Sequence, residues 1–231
     1  VSPYYWPALF NGVAPTVEHA RPLKALSPAT VIDVGANKGQ FSLFASKTWP
    51  TATIIAFEPL PSLASKFRRI LGSKAVLHEI GLGVKTGKME LHVASRADSS
   101  SLLPLHETQK RLFHMHEVGT QTIEVKRLDE ALSATPINAP ALLKIDVQGF
   151  EYEVLQGIGS LKHDIEWLYI EASTIELYAG QRLMDDVTAL AAELGYLLVG
   201  RYNMMKDDSG MEFQGDMLFK KERSTKSNAA C

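Results

Sequence analysis

From about residue 30 onward, short apolar runs alternate with stretches of helical spacing, and that alternation narrows the fold more than any other feature of the chain. The runs "ATVIDV", "ATIIAF", "AVLHEI", "ALLKIDV" and "WLYIEA" read as strands, and "GQFSLFASKTW", "LPSLASKFRRIL" and "FEYEVLQGI" between them carry apolar residues at helical intervals. Strand and helix taking turns in this way predicts an α/β fold, a mostly parallel sheet with helices on both faces. "MDDVTALAAELG" is the clearest helix, closed by Gly195 just past its end. After it, "YLLVGRY" and "DMLFKK" flank the turn-rich "NMMKDDSG" and predict a C-terminal antiparallel hairpin.

One excursion breaks the alternation. "GLGVKTGKMELHV" reads as a hairpin around Gly87, and "SRADSSSLLPLHETQKRLFHMHEVG" as an irregular insert, residues 95–120, ahead of the strand "QTIEVK". An insert of that length within a compact domain points to a lid or a binding loop. Residues 1–29 are expected to be an extension packing on the core, and the polar residues 221–231 a flexible tail.

The 231 residues are 45% hydrophobic, enough for one sizeable core or at most two small domains. Twenty-four basic against 26 acidic side chains leave a formal net charge of −2, which gives no electrostatic footprint for a nucleic-acid partner. The single cysteine, Cys231, is the last residue, so no disulfide framework exists and a reducing compartment is expected. The opening "VSPYYWPALFNGVAPTVEHARP" is broken by prolines and lacks the long apolar stretch of a secretory leader. No window reaches the roughly 18 apolar residues of a membrane span. The expectation is a cytoplasmic protein without a membrane span, its start at Val1 left by removal of an upstream piece.

The segment "VIDVGANKGQ" decides between cofactors. A dinucleotide fingerprint, G-x-G-x-x-G, needs a second glycine where this chain has Asn37; Gly35 is followed next by Gly39. Asp33 lies at the end of the strand, where a carboxylate would repel a pyrophosphate and attract an ammonium. The next strand ends in "IIAFEPLP", placing Glu58 about 20 residues beyond the turn, where an acid accepts hydrogen bonds from ribose hydroxyls. A cofactor carrying both an amino acid and a ribose fits: S-adenosyl-L-methionine. Taken singly, the glycines also suit an ordinary tight turn, and Glu58 before Pro59 an ordinary helix N-terminus.

Together "VIDVGANKGQF", "AFEPLP" and "LLKIDVQGFEYEVLQG" resemble the class I S-adenosylmethionine methyltransferases, and specifically the FkbM family, over roughly residues 30–220. The resemblance implies a Rossmann-like, mostly parallel seven-stranded sheet and a methyltransferase domain over that range. It also implies that the cofactor lies against Asp33, Gly35, Ala36, Asn37, Gly39 and Phe41 of the first motif. Glu58, Pro59, Gly81, Ser100 and Asp146 would complete its contacts.

In the family's usual strand order the first, fourth and fifth strands are neighbours, so Asp33, Asp146 and Glu171 would share one rim. Lys144 lies two residues before Asp146 on the same strand face and needs a partner there, with Asp146 or Glu171 as candidates. Methyl transfer depends on aligning the nucleophile with the methyl carbon, and a hydroxyl nucleophile must also lose its proton. Asp146 is the first candidate for the base or orienting group, with Lys144 and Glu171 beside it; the alternative is a purely structural Lys144–Asp146 pair. Gln148 stands where the family commonly has an acid. Related small-molecule methyltransferases use a carboxylate metal site, but the pattern here matches it only loosely and no metal is assigned.

Ser99, Ser100 and Ser101 fall where the family often has a serine pair. His106, His114 and His116 could supply a base from the insert, and Tyr178 and Tyr202 could stack on a ring. The leading reading is O-methylation of a sugar, glycan or other small-molecule hydroxyl. Two alternatives stand beside it: a cofactor-binding domain that has lost catalysis, and an NAD-type oxidoreductase, against which the failed fingerprint argues.

Overall fold

The computed structural model describes residues 2–222. Cys231 and all but the first two residues of the expected tail lie outside that range. Ten strands and eight α-helices follow one another among the described residues. The strands are β1 (Thr30–Val34), β2 (Thr53–Phe57), β3 (Val76–His78), β4 (Gly81–Leu82), β5 (Gly87–Ala94), β6 (Glu117–Lys126), β7 (Ala141–Ile145), β8 (Ile165–Ser173), β9 (Tyr196–Lys206) and β10 (Glu212–Lys221). The helices are α1 (Trp6–Phe10), α2 (Ala20–Leu23), α3 (Gln40–Thr48), α4 (Pro61–Leu71), α5 (Glu107–Phe113), α6 (Leu128–Ala131), α7 (Glu151–Gln156) and α8 (Met184–Glu193).

Seven strands form the main sheet in the order β3-β2-β1-β7-β8-β10-β9. β1, β2, β3, β7 and β8 are parallel, and β10 runs antiparallel between β8 and β9. The mostly parallel sheet and the C-terminal hairpin are as the sequence predicts. Every residue of β1 and β7 is buried, which is why their segments read as continuous apolar runs. Alternate residues feed two cores. Ile32, Val34, Leu143 and Ile145 pack with Val154 of α7 and Val187 and Leu190 of α8. Val31 and Leu142 pack on the other face with Phe41 and Phe44 of α3, Trp49 and Leu23. Ahead of β1, Tyr5, Ala8 and Val13 pack against Leu43, Phe67 and Leu71.

The hairpin around Gly87 does not form. β4 and β5 both pair with β6, which lies between them, so that Val125 faces Gly81 on one side and Gly87 on the other. A two-residue β4 cannot satisfy the backbone of the longer β5, whereas β6, ten residues long, can. The insert before β6 is also less irregular than its composition suggests. It contains α5, and Leu105 and Met115 pack with Leu177, Tyr178 and Phe213.

Strand order reverses between β1 and β7, because β1 continues to β2 on one side while β7 enters from the other. In an open parallel sheet this switch point opens a crevice at the carboxyl ends of the strands.

Candidate functional site

A cleft with about 910 Å³ of empty space, open at its mouth, lies at that switch point. Its walls bring together Gly35, Ala36, Asn37 and Phe41 after β1, Glu58 and Pro59 after β2, Gly81, Ser100, and Lys144 and Asp146 of the β7 end. Three residues expected there do not line it: Asp33, Gly39 and Glu171.

The floor is a backbone crossing. Gly35 has φ +77°, and a Cβ placed on it would lie 1.8 Å from the Asp146 carbonyl oxygen, so the β1 and β7 loops touch at a point where only hydrogen fits. Asp146 N–H donates to the Val34 carbonyl at 3.1 Å across the same junction. Gly39 serves a different contact. It begins α3 with φ +90°, and a Cβ there would meet Leu71 at 2.7 Å and Phe67 at 3.0 Å, so its bareness lets α3 pack on α4.

Asp33 and Lys144 are register partners on adjacent parallel strands, so their side chains rise from the same face. Lys144 Nζ lies 3.3 Å from Asp33 Oδ1 and 3.3 Å from Asp146 Oδ2, donates to the Gly35 carbonyl at 3.4 Å, and stands 5.6 Å from the Phe41 ring centroid. Burial alone would depress this ammonium, but Asp146 and Asp33 outweigh burial and hold it above its ordinary range. Asp33 has no exposed surface, and its other oxygen, Oδ2, accepts a hydrogen bond, 2.6 Å, from Ser42 Oγ on α3. Sequence reasoning named Asp146 or Glu171 as the partner of Lys144; the structure adds Asp33 and gives Glu171 to Gln214 Nε2, at 2.8 Å. The three carboxylates therefore occupy three environments: Asp33 sealed, Asp146 on the cleft, Glu171 behind them. Burial, with Asp146 and Asp216 nearby, raises Glu171 well above the usual carboxylate range.

Glu58 joins the loops after β1 and β2. Its Oε2 accepts from Asn37 N–H at 2.9 Å and its Oε1 from Leu60 N–H at 2.8 Å. Only 5% of the residue is exposed, and burial pushes its carboxyl up to about 7, with the two backbone donors pulling the other way. This differs from the solvent-facing strand end that its position suggests. Each oxygen keeps a lone pair beyond the loop contact.

Gln148, at φ +60°, ties the β7 loop to the insert. Its Nε2 donates to Asp146 Oδ1 at 2.8 Å and reaches Glu171 Oε2 at 3.4 Å, and its Oε1 accepts from the Tyr178 hydroxyl at 2.7 Å. Ser101 Oγ donates to the Gln148 carbonyl at 2.6 Å. Glu151 Oε1 accepts from Val147 and Gly149 N–H, both at 3.0 Å, and so shapes the same loop. Tyr178 is thus a fully buried strut of this network. His106 caps α5, His114 ends it in a left-handed conformation, and neither they nor His116 line the cleft.

The structure adds wall residues that no motif marked, among them Leu102, Asp98, and Thr16 and His19 from ahead of β1. His19 could not be found from pattern, since its partner Tyr169 is 150 residues away.

The set fits a ligand with an amino-acid end and a ribonucleoside end. Gly35 allows close backbone approach, Asp146 offers a carboxylate for an ammonium, and Glu58 offers acceptors for ribose hydroxyls.

The chain has relatives among known proteins. The family model described as "Methyltransferase FkbM domain" matches residues 33–198. "Methyltransferase 1" of Beauveria bassiana is 31% identical over 165 residues, 64% of this chain and 64% of that protein. "2-O-methyltransferase NoeI" of Sinorhizobium fredii is 26% identical over 160 residues, 65% of this chain and 66% of that one. The matched stretch thus spans just under two thirds of each of these relatives. Fibrillarin of Aeropyrum pernix, crystallised with natively bound S-adenosyl-L-methionine, shares the fold with TM-score 0.51 at 9% identity, over 94% of this chain and 75% of that chain.

Proposed function

Given that the chain belongs to the FkbM methyltransferase family, whose methyl donor is S-adenosylmethionine, we propose that it methylates a hydroxyl oxygen of a sugar, glycan or other small-molecule natural product. In this reading residues 30–220 are the methyltransferase domain, with residues 1–29 an extension packing on its core and residues 95–120 an insert or lid. The similarity to NoeI, a 2-O-methyltransferase, supports oxygen as the acceptor atom. No helix among the described residues is long and apolar enough to cross a membrane.

The observation that carries the reading is the pairing of two carboxylates in one cleft, Glu58 beyond β2 and Asp146 beyond β7. Bound S-adenosylmethionine supplies an electrophilic methyl group on a sulfonium centre. Glu58 would accept hydrogen bonds from its ribose hydroxyls, and Asp146 from its ammonium. Lys144 and Gln148 fix the Asp146 carboxylate from two sides, so it meets its ligand already oriented. With those partners and the ammonium, Asp146 orients rather than takes up a proton.

The direct test is incubation with S-adenosylmethionine and a panel of sugars, polyols and secondary alcohols alongside matched amines and thiols. Methyl ethers are the expected products, identified by mass spectrometry; transfer only to nitrogen or sulfur would overturn the oxygen acceptor. Asp146→Asn is expected to weaken S-adenosylhomocysteine by roughly 1.5–3 kcal/mol, the worth of a hydrogen bond to a charged group. Calorimetric titration measures this, and unchanged affinity would remove Asp146 from the ammonium site.

Glu58 predicts a pH dependence. Ribose hydroxyls donate to the carboxylate, so affinity is full above about 7 and falls as Glu58 protonates below it. S-adenosylhomocysteine is expected to bind up to about tenfold more weakly one unit below that value, with a proton released on binding. In the free protein the raised carboxyl acts oppositely: its contribution to stability is present near pH 4.5 and is lost as pH rises through about 7. Glu58→Gln should flatten the affinity profile; an unchanged profile would move the dependence to another group.

A further inference from the structure

We propose that His19 is the general base that takes the proton from the acceptor hydroxyl, held in its basic tautomer by Tyr169 and Asp216. The proposal rests on the oxygen-acceptor reading above and assigns the base to a residue outside every motif of the chain.

His19 ends a short turn ahead of β1, Val17–His19, and lines the cleft shared by Lys144 and Asp146. Its ring is wedged edge-on among Phe41, Phe44 and Tyr169, with centroids 5.4, 6.3 and 5.3 Å away. Nδ1 lies 2.9 Å from the Tyr169 hydroxyl and 3.5 Å from Asp216 Oδ2. The side chains of His19 and Asp216 are only 13% and 10% exposed.

Counting protons sets the tautomer. Tyr169 has one hydroxyl proton and donates it to Asp216 Oδ2 at 2.8 Å. Asn203 Nδ2 donates to the same carboxylate at 2.7 Å and also reaches the Tyr169 oxygen at 3.2 Å. The Tyr169 oxygen can then only accept from His19, so Nδ1 carries the hydrogen. The reverse arrangement would set the Tyr169 oxygen lone pairs against the Asp216 carboxylate at that distance. In neutral His19, Nε2 is therefore bare and available as a base. Burial would raise the Asp216 carboxyl, but hydrogen bonding from His19, Asn203 and Tyr169 wins and keeps it below its ordinary range, an anion ready for an imidazolium.

The step balances. The hydroxyl proton passes to Nε2, and the electron pair of the O–H bond stays on oxygen and forms the O–CH₃ bond. The pair of the C–S bond leaves with sulfur. The positive charge of the sulfonium is replaced by that of the imidazolium beside Asp216. The charged or titratable groups around His19 are Asp216 on β10, Tyr169 on β8, Glu18 on its own turn, and Lys144 of β7 across the Phe41 ring.

The test uses the full chain, ¹⁵N-labelled, as wild type and His19→Asn. Asn keeps a donor toward Tyr169 while deleting Nε2. Two-bond ¹H–¹⁵N spectra, with His19 assigned by its loss in His19→Asn, are expected to show the neutral Nδ1–H tautomer. With the acceptor found in the panel above, His19→Asn should lower kcat about 10²–10⁴-fold and remove the acidic limb of its pH profile, the contribution of a positioned base. Affinity for S-adenosylhomocysteine should stay within about twofold. An Nε2–H tautomer overturns the proposal. So does a large loss of S-adenosylhomocysteine affinity with kcat intact, which would make His19 the partner of the cofactor's carboxylate. An absence of methyl ethers from the whole panel defeats the oxygen-acceptor reading instead, and the spectra still decide the tautomer.

Discussion

Gly35→Ala is expected to abolish S-adenosylhomocysteine binding and to destabilise the protein by more than about 4 kcal/mol, a loss seen only where a substitution meets a specific structural obstacle. The obstacle is backbone. The new Cβ would sit 1.8 Å from the Asp146 carbonyl oxygen and 2.9 Å from its carbon, so no rotamer change can relieve the clash. Either the β1 and β7 ends part, or the turn leaves φ +77° and the loop is rebuilt. Parting breaks the Asp146–Val34 hydrogen bond and pulls Lys144 away from the Gly35 carbonyl. Gly12→Ala supplies the control. Its φ is +71° but nothing lies within 4 Å of the added carbon, so only the left-handed penalty, about 1–2 kcal/mol, is expected. Chemical denaturation of both variants separates clash from strain; equal losses would show that the loop yields without breaking the site.

Lys144→Met is the second large effect, about 3–5 kcal/mol, the loss expected when one member of a buried ion pair is removed. Asp33 would remain with no exposed surface and only the Ser42 hydroxyl as partner. Because the uncompensated charge is the cause, the double variant Asp33→Asn with Lys144→Met should recover most of the loss. Lys144 is raised above its ordinary value, so its stabilisation is fully present below the unfolded-state value of about 10.5. Denaturation of the single and double variants measures the coupling. A double variant no more stable than Lys144→Met alone would show that packing around the lysine stem, rather than charge, accounts for the loss.

Much of the main sheet was legible because its signals are local. The apolar segments of β1, β2, β7 and β8 are continuous since both of their faces are covered, and Gly35 announces a turn no side chain could follow. The three motifs likewise placed Glu58, Lys144 and Asp146 at strand ends that converge on one cleft. The misread hairpin shows where local signals stop. Gly87 and its flanking alternation favour a turn, but β5 pairs with a strand that begins after the insert, at Glu117. The destination of Asp33 was hidden for a related reason. Being next to the glycine turn suggests a ligand, while its orientation into the sheet follows from register with Lys144.

By itself, then, the sequence determined the α/β layering and the strand ends at which a switch-point cleft opens, because chain periodicity and glycine sterics are properties of neighbours along the chain. Tertiary structure alone decided which carboxylate faces the cleft, which is neutralised inside, and how Gln148 joins the β7 loop to Tyr178. It also set the ring of His19 against Tyr169 and Asp216, residues of β8 and β10 that no local pattern connects to the N-terminal segment. Those outcomes depend on distances between strands far apart in sequence, and burial then fixes the charges there, since a carboxylate or ammonium withdrawn from water must find its partner wherever the packing puts one.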